Sequence, residues 1–160
     1  MPDMLVKLYD LPPREASLAE CQARGVTIRR AMPYEKTVVL DWIRRHFTVG
    51  WADETDAAFA RQPINCLIAT EKGQVVGFAA YDATARGFFG PTGVQPSHRK
   101  RGIGKALLIG SLHALAELGF AYAIIGQAEE TAREFYAKAT GAVAIPGSDP
   151  GIYRDWLHHP

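Results

Sequence analysis

The run Arg99-Lys100-Arg101-Gly102-Ile103-Gly104-Lys105 places four cations around two glycines. That pattern suits a phosphate. Glycine lets an anion approach the backbone without a clashing Cβ, and a helix start offers unpaired N–H groups with the positive end of its dipole. Arginine adds a clamp of two parallel hydrogen bonds. Two common phosphate motifs fail on spacing. A nucleotide-triphosphate loop ending at Gly104-Lys105 needs glycine where Arg99 stands and Ser or Thr where Ala106 stands. The dinucleotide fingerprint starting at Gly102 needs Gly or Ala where Leu107 stands. ATP, GTP and NAD readings lose their weight accordingly.

Other reactive side chains carry less. Cys21 and Cys66 have neither a second thiol nor a histidine at zinc-ligand spacing, so both read as reduced and no metal is implied. Phe135 and Tyr136 lie in an Ala-rich helical stretch, where aromatics ordinarily pack a core. Trp42, Phe47, Trp51 and Phe59 read the same way, with Trp51, in the loop near Gly50, the one best placed to line a pocket.

These residues need a frame. Met4 to Leu11 reads as extended and Arg14 to Arg24 as a short helix ended by Gly25. Val26 to Arg30 is a strand, and Val38, Val39, Trp42, Ile43 and Phe47 recur at helical spacing. A second helix is expected over Asp53 to Arg61, before Pro63. Cys66 to Thr70 and Val75 to Tyr81 flank a Gly-containing turn and form a hairpin. Phe88 to Val94 is a further strand, distorted by Gly90, Pro91 and Gly93. The basic turn then opens a helix from Gly102 to Leu118, followed by a strand at Tyr122 to Ile125 and a helix at Glu129 to Thr140. Val143 to Ile145 and Ile152 to Leu157 are expected to close the sheet.

Val94-Gln95-Pro96 followed by Arg99-x-x-Gly102-x-Gly104 resembles the acyl-CoA signature of the GNAT superfamily of N-acetyltransferases. Downstream, Ala132-x-x-x-Tyr136-x-Lys138 resembles the run that closes that family's catalytic half. The resemblance in element order covers about Val26 to Leu157. It implies an α/β (α+β) fold with a mixed, mainly antiparallel sheet of about six to seven strands, about four flanking helices and splayed central strands. Residues 1–25 become an N-terminal extension packing on the domain, and residues 26–160 the acyl-CoA N-acyltransferase domain.

The resemblance implies acetyl-CoA as the acyl donor, an amine acceptor and direct attack in a ternary complex. The cofactor arm would lie against Gly93, Val94, Arg99, Lys100, Arg101, Gly102, Ile103, Gly104 and Lys105, with backbone N–H groups near Gly93 and Val94 polarising the thioester carbonyl. Tyr136 is the implied general acid, since a phenol of pKa about 10 can protonate a departing thiolate. The general base stays open among Asp82, Glu54, Asp53 and Glu129, because Gly90-Pro91-Thr92-Gly93 carries no carboxylate. Glu129 also stands where the family commonly has an asparagine, and Thr140 lengthens the run before Gly141 by one residue.

Composition narrows the alternatives. Eighteen Lys plus Arg against 17 Asp plus Glu leave a net charge of +1, which does not drive binding to nucleic acid or an anionic membrane. No export signal is visible, and a cytoplasmic protein is expected. The balance of charge points to a small-molecule acceptor; a homodimer is open. The alternative to an enzyme is an acyl-CoA-binding or regulatory module that keeps the cradle without the chemistry.

Overall fold

The computed structural model describes residues 1–158, and its sheet grows from one hairpin. Strand β3 (Cys66–Glu71) turns through Lys72 and Gly73, with φ of 50° and 74°, into β4 (Gln74–Tyr81). Two successive positive φ angles match the twist of the flanking strands, which is why glycine stands there. β2 (Thr27–Arg30) adds to β3, and β5 (Phe88–Val94) adds to β4. The β4–β5 register shifts between Ala79 and Tyr81, so the distortion expected around Gly90 and Pro91 is present.

Seven strands make one sheet in the order β2-β3-β4-β5-β6-β1-β7, with β6 at Tyr122–Ile125, β1 at Met4–Lys7 and β7 at Val143–Ala144. Every pairing is antiparallel except β5 with β6. That parallel pair holds only through Phe88↔Ile124 and Phe89↔Ile125, after which β5 continues to Val94 paired with β4 but not with β6. The central strands therefore splay, as expected, and the gap they leave runs along Gly90 to Val94.

The closing strand is a correction. Ile152–Leu157 does not enter the sheet: Gly151–Tyr153 is a 3-10 turn, and Ile152, Trp156 and Leu157 are exposed. The slot is taken by β1, which pairs Met4↔Ile125 through Lys7↔Tyr122 on one side and Met4↔Ala144 on the other. Met4 and Val6 alternate into the core, whereas Arg154 and Asp155 would interrupt any apolar face of the later segment. Residues 1–25 thus supply a strand within the sheet and helix α1 (Arg14–Ala23), the short helix expected at Arg14 to Arg24. The expected domain end at residue 160 lies outside the described residues.

Helices cover both faces. α2 (Lys36–His46) and α3 (Val49–Phe59) pack on one face, around Val39, Ile43, Ile68 and Phe78. α3 starts before Asp53 because the Thr48 hydroxyl accepts the Trp51 N–H at 3.1 Å and caps the helix. α4 (Ile103–Glu117), α1 and the inner side of α5 (Glu130–Thr140) cover the other face, around Leu107, Leu108, Leu112 and Phe89. No helix among the described residues is long and apolar enough to cross a membrane.

Candidate active site

The basic turn ends where α4 begins. Gly102 is its N-cap with φ 79°, a left-handed conformation that favours glycine, and no side chain caps the helix. The first intrahelical bond runs from the Ala106 N–H to the Gly102 carbonyl, so the N–H groups of Ile103, Gly104 and Lys105 have no partner within the helix. That is an open anion site on a fifteen-residue helix. Arg99, Lys100, Arg101 and Lys105 are exposed around it, and Lys100 and Lys105 make no ion pair among the described residues. Ile103 contributes only backbone, because its side chain is core.

The turn is pinned from the β3–β4 hairpin. Glu71 accepts from His98 Nε2 at 2.6 Å and lies 3.7 Å from Arg101, and the Ser97 hydroxyl meets His98 Nδ1 at 2.9 Å. The His98 ring holds the Glu71 carboxyl below its usual range, with Arg101 adding to the effect.

A cleft of about 450 Å³ leads from this turn along the splay. Arg99, Gly104 and Val94 border its basic end, and Tyr136, Phe135 and Phe89 its other end. Gln95 donates to the Val76 carbonyl at 2.8 Å, which makes Gln95 and Val76 a hydrogen-bonded pair of the ladder. Alternation then turns the N–H and C=O of Val94 away from β4, toward the gap, and those of Gly93 toward β4. The Arg99 Nε–H reaches the Val94 carbonyl at 3.2 Å, consistent with that orientation. Of the two expected backbone donors, Val94 is the one that faces the cleft.

Gly93 has a different use. A Cβ there would lie 2.7 Å and 2.9 Å from two carbons of the Phe47 ring and closer still to the ring tip, so only glycine leaves room for that ring. Phe47 stacks on Trp51 at 5.3 Å and meets Phe78 at 5.8 Å, forming an aromatic wall of the cleft on the α2–α3 side. Phe47 and Trp51 therefore line the cleft as well as packing on the core, and helical spacing does not separate the two. Phe135, expected in the core, is 41% exposed and borders the cleft, because only one side of α5 packs on the sheet.

Tyr136 packs against Phe89 at 6.4 Å between ring centres. Burial first, and the Glu129 carboxylate second, push its phenol up to about 12. It keeps its proton throughout the neutral range, more firmly than the value of about 10 taken for a free phenol. Among the carboxylates considered as bases, Asp82 is buried and accepts from Gly87 N–H at 2.7 Å and Arg86 at 3.1 Å within its own loop. Asp53 and Glu129 are exposed. Glu54 is half-buried and accepts from the Thr84 hydroxyl at 3.1 Å, and burial raises its pKa.

Residues 36–142 match the model of the acetyltransferase (GNAT) family. No curated protein matches the chain. Among solved structures, the chain is similar to a GCN5-related N-acetyltransferase from Sphaerobacter thermophilus, with 23% identity and a TM-score of 0.68 over 90% of this chain and 48% of that one. It is similar to a GCN5-related glucosamine N-acetyltransferase region of a fungal multi-domain GH3 β-N-acetylglucosaminidase, with 15% identity and a TM-score of 0.68 over 90% of this chain and 19% of that one. A GNAT family acetyltransferase from Brucella melitensis, solved in complex with acetyl-CoA, is 24% identical with a TM-score of 0.51 over 69% of this chain and 80% of its own. The chain thus spans about half or less of the first two proteins, and these likenesses are of fold.

Proposed function

The chain belongs to the GNAT acetyltransferase family, and from that premise we propose that it transfers an acetyl or other small acyl group from acyl-CoA to a primary amine. One observation carries the reading. A single cleft joins the uncapped start of α4 to the Tyr136 phenol, with Val94 between them. Its polar end fits a pyrophosphate and its apolar body fits a pantetheine arm, and the Brucella relative holds acetyl-CoA.

Each group has a task in this reading. Ile103, Gly104 and Lys105 N–H groups bind phosphate oxygens, with Arg99, Lys100, Arg101 and Lys105 adding long-range attraction. The Val94 N–H, turned to the gap, polarises the thioester carbonyl as negative charge develops on its oxygen. Tyr136 protonates the departing thiolate. Its raised pKa keeps the phenol loaded, so it gives up the proton only as the C–S bond breaks. The hydroxyl that β5 brings to the cleft lining, that of Thr92, donates to the Phe78 carbonyl at 3.0 Å, and direct attack by the amine needs no nucleophile from the chain.

The test is release of free thiol from acetyl-CoA on addition of amines. Amine-dependent release by the wild type, lost in Tyr136→Phe while acetyl-CoA still binds, is the expected result. Binding of acetyl-CoA with no release across a broad amine panel would instead make the chain a binding module.

A further inference from the structure

Tyr136 approaches the splay from the α4–α5 face, where the carboxylate close to it, Glu129, is exposed rather than enclosed. An amine is protonated near neutrality and attacks only when neutral, so a proton acceptor must stand where it enters. The opposite face carries one. On α3, Glu54 lies one turn beyond Trp51, which walls the cleft, and only its Oε2 has a partner, the Thr84 hydroxyl.

Glu54 stands near an aromatic corner. At the end of β6, where the splay begins, a Cβ on Gly126 would lie 3.1 Å from the Phe88 ring and 3.6 Å from the Tyr153 hydroxyl. Phe88 and Tyr153 therefore converge at that point. Burial, then Glu54 and Asp3, push the Tyr153 phenol up to about 12, so Tyr153 stays neutral and Glu54 is near it. Asp3 is engaged by the Gln127 N–H at 2.9 Å.

Two cations of the neighbouring elements are already held. Arg86, in the loop that carries Thr84, bonds Asp82, and Lys36 of α2 pairs with Asp56 of α3 at 2.6 Å. On α3 itself Asp53 is exposed. A half-buried carboxylate without an ion pair among the described residues has lost hydration that an incoming cation would offset.

Building on the transferase reading, we propose that Glu54 binds the acceptor's ammonium group and takes its proton, and that the acceptor is a primary amine with an apolar body seated against Phe47, Trp51 and Phe88. The acid and the base then stand on opposite faces of one gap. Glu54 removes one ammonium proton, and the neutral nitrogen bonds to the acyl carbon. The C–S bond breaks and the thiolate takes the Tyr136 proton. The tyrosinate recovers a proton from the newly bonded nitrogen, leaving the amide, and Glu54 releases its proton to solvent.

The probe is 2-phenylethylamine, with spermidine as a polar comparison, in the thiol-release assay from pH 6 to pH 10, alongside calorimetric binding of acetyl-CoA. Glu54→Gln is expected to lower kcat/KM for 2-phenylethylamine by about a hundredfold at neutral pH, the lower end of the range for general acid–base groups. Its rate should then climb about tenfold per pH unit as free amine accumulates, while the wild type levels off above its acid limb. Acetyl-CoA affinity should be equal in both. Thr84→Val, which removes only the hydroxyl bonded to Glu54, should shift the wild-type acid limb upward. A Glu54→Gln profile parallel to the wild type overturns the assignment. Turnover of spermidine but not of 2-phenylethylamine overturns the apolar class and leaves the transferase reading standing. Failure of the wild type to bind acetyl-CoA overturns both.

Discussion

Gly93→Ala adds one methyl group at the point where β5 meets the aromatic wall. The new carbon would stand within 2.9 Å of several atoms of the Phe47 ring, a separation that unbonded carbons do not sustain. The ring cannot retreat freely. It is stacked on Trp51 at 5.3 Å, and Trp42 at 5.7 Å and Phe78 at 5.8 Å stand behind it. Overpacking of this kind destabilises by about 1–3 kcal/mol. For a chain of this length that is a fall in Tm of about 2–12 °C, at about 2–4 °C per kcal/mol. Thermal denaturation of Gly93→Ala, Phe47→Leu and the double variant measures it directly. Leucine removes the clashing ring edge, so the alanine should be tolerated better in the Phe47→Leu background, with a coupling of about 0.5–3 kcal/mol. A wild-type melting temperature for Gly93→Ala, or the same loss in both backgrounds, would refute the packing argument.

Three further outcomes follow from the same geometry. Tyr136→Phe keeps the ring against Phe89, so kcat should fall by roughly a hundredfold or more with acetyl-CoA affinity and Tm nearly unchanged, as read by steady-state kinetics and calorimetry. The Glu20 carboxylate of α1 lies 3.7 Å from where a Cβ on Gly102 would stand, beside the phosphate turn. Glu20→Gln should therefore tighten acetyl-CoA binding by about twofold to threefold, the scale of one surface charge in water, and the gain should shrink as salt is added. Burial holds the Glu54 carboxyl above its unfolded value, so the folded state binds more protons and stability falls as pH rises through that interval. Glu54→Gln removes that penalty and should melt higher than the wild type at neutral pH, the difference closing below about pH 4 where the unfolded carboxyl is itself protonated.

Local signals made much of this molecule legible in its sequence. The hairpin at residues 66–81, the long helix after the basic turn and the helix holding Tyr136 each carry their own period and their own stop. The distortion of β5 could be expected because Gly90, Pro91 and Gly93 weaken a ladder, whereas the splay is implied only by the resemblance to the GNAT superfamily. What the sequence did not reveal is pairing between distant segments. Met4–Lys7 has the alternation of a strand, but nothing local says that it fills the slot between β6 and β7 in place of Ile152–Leu157. The same holds for the site. Arg99, Gly102 and Gly104 announce themselves by spacing, whereas Phe47 and Trp51 have the periodicity of ordinary core residues. Glu54 separates from Asp82, Asp53 and Glu129 only once the fold decides which carboxylate is half-buried and unpaired.

The central claim is that the open start of α4 and the cleft beyond it bind acyl-CoA. Calorimetric titration of the wild type and of the Gly102→Glu, Gly104→Glu double variant with acetyl-CoA and CoA tests it most directly. The glutamates put two like charges where the phosphates should sit, while the fold is checked by circular dichroism. Saturable binding of both ligands to the wild type, abolished in a folded double variant, is the predicted result. Absence of binding by the wild type, or undiminished binding by the folded variant, would contradict the account.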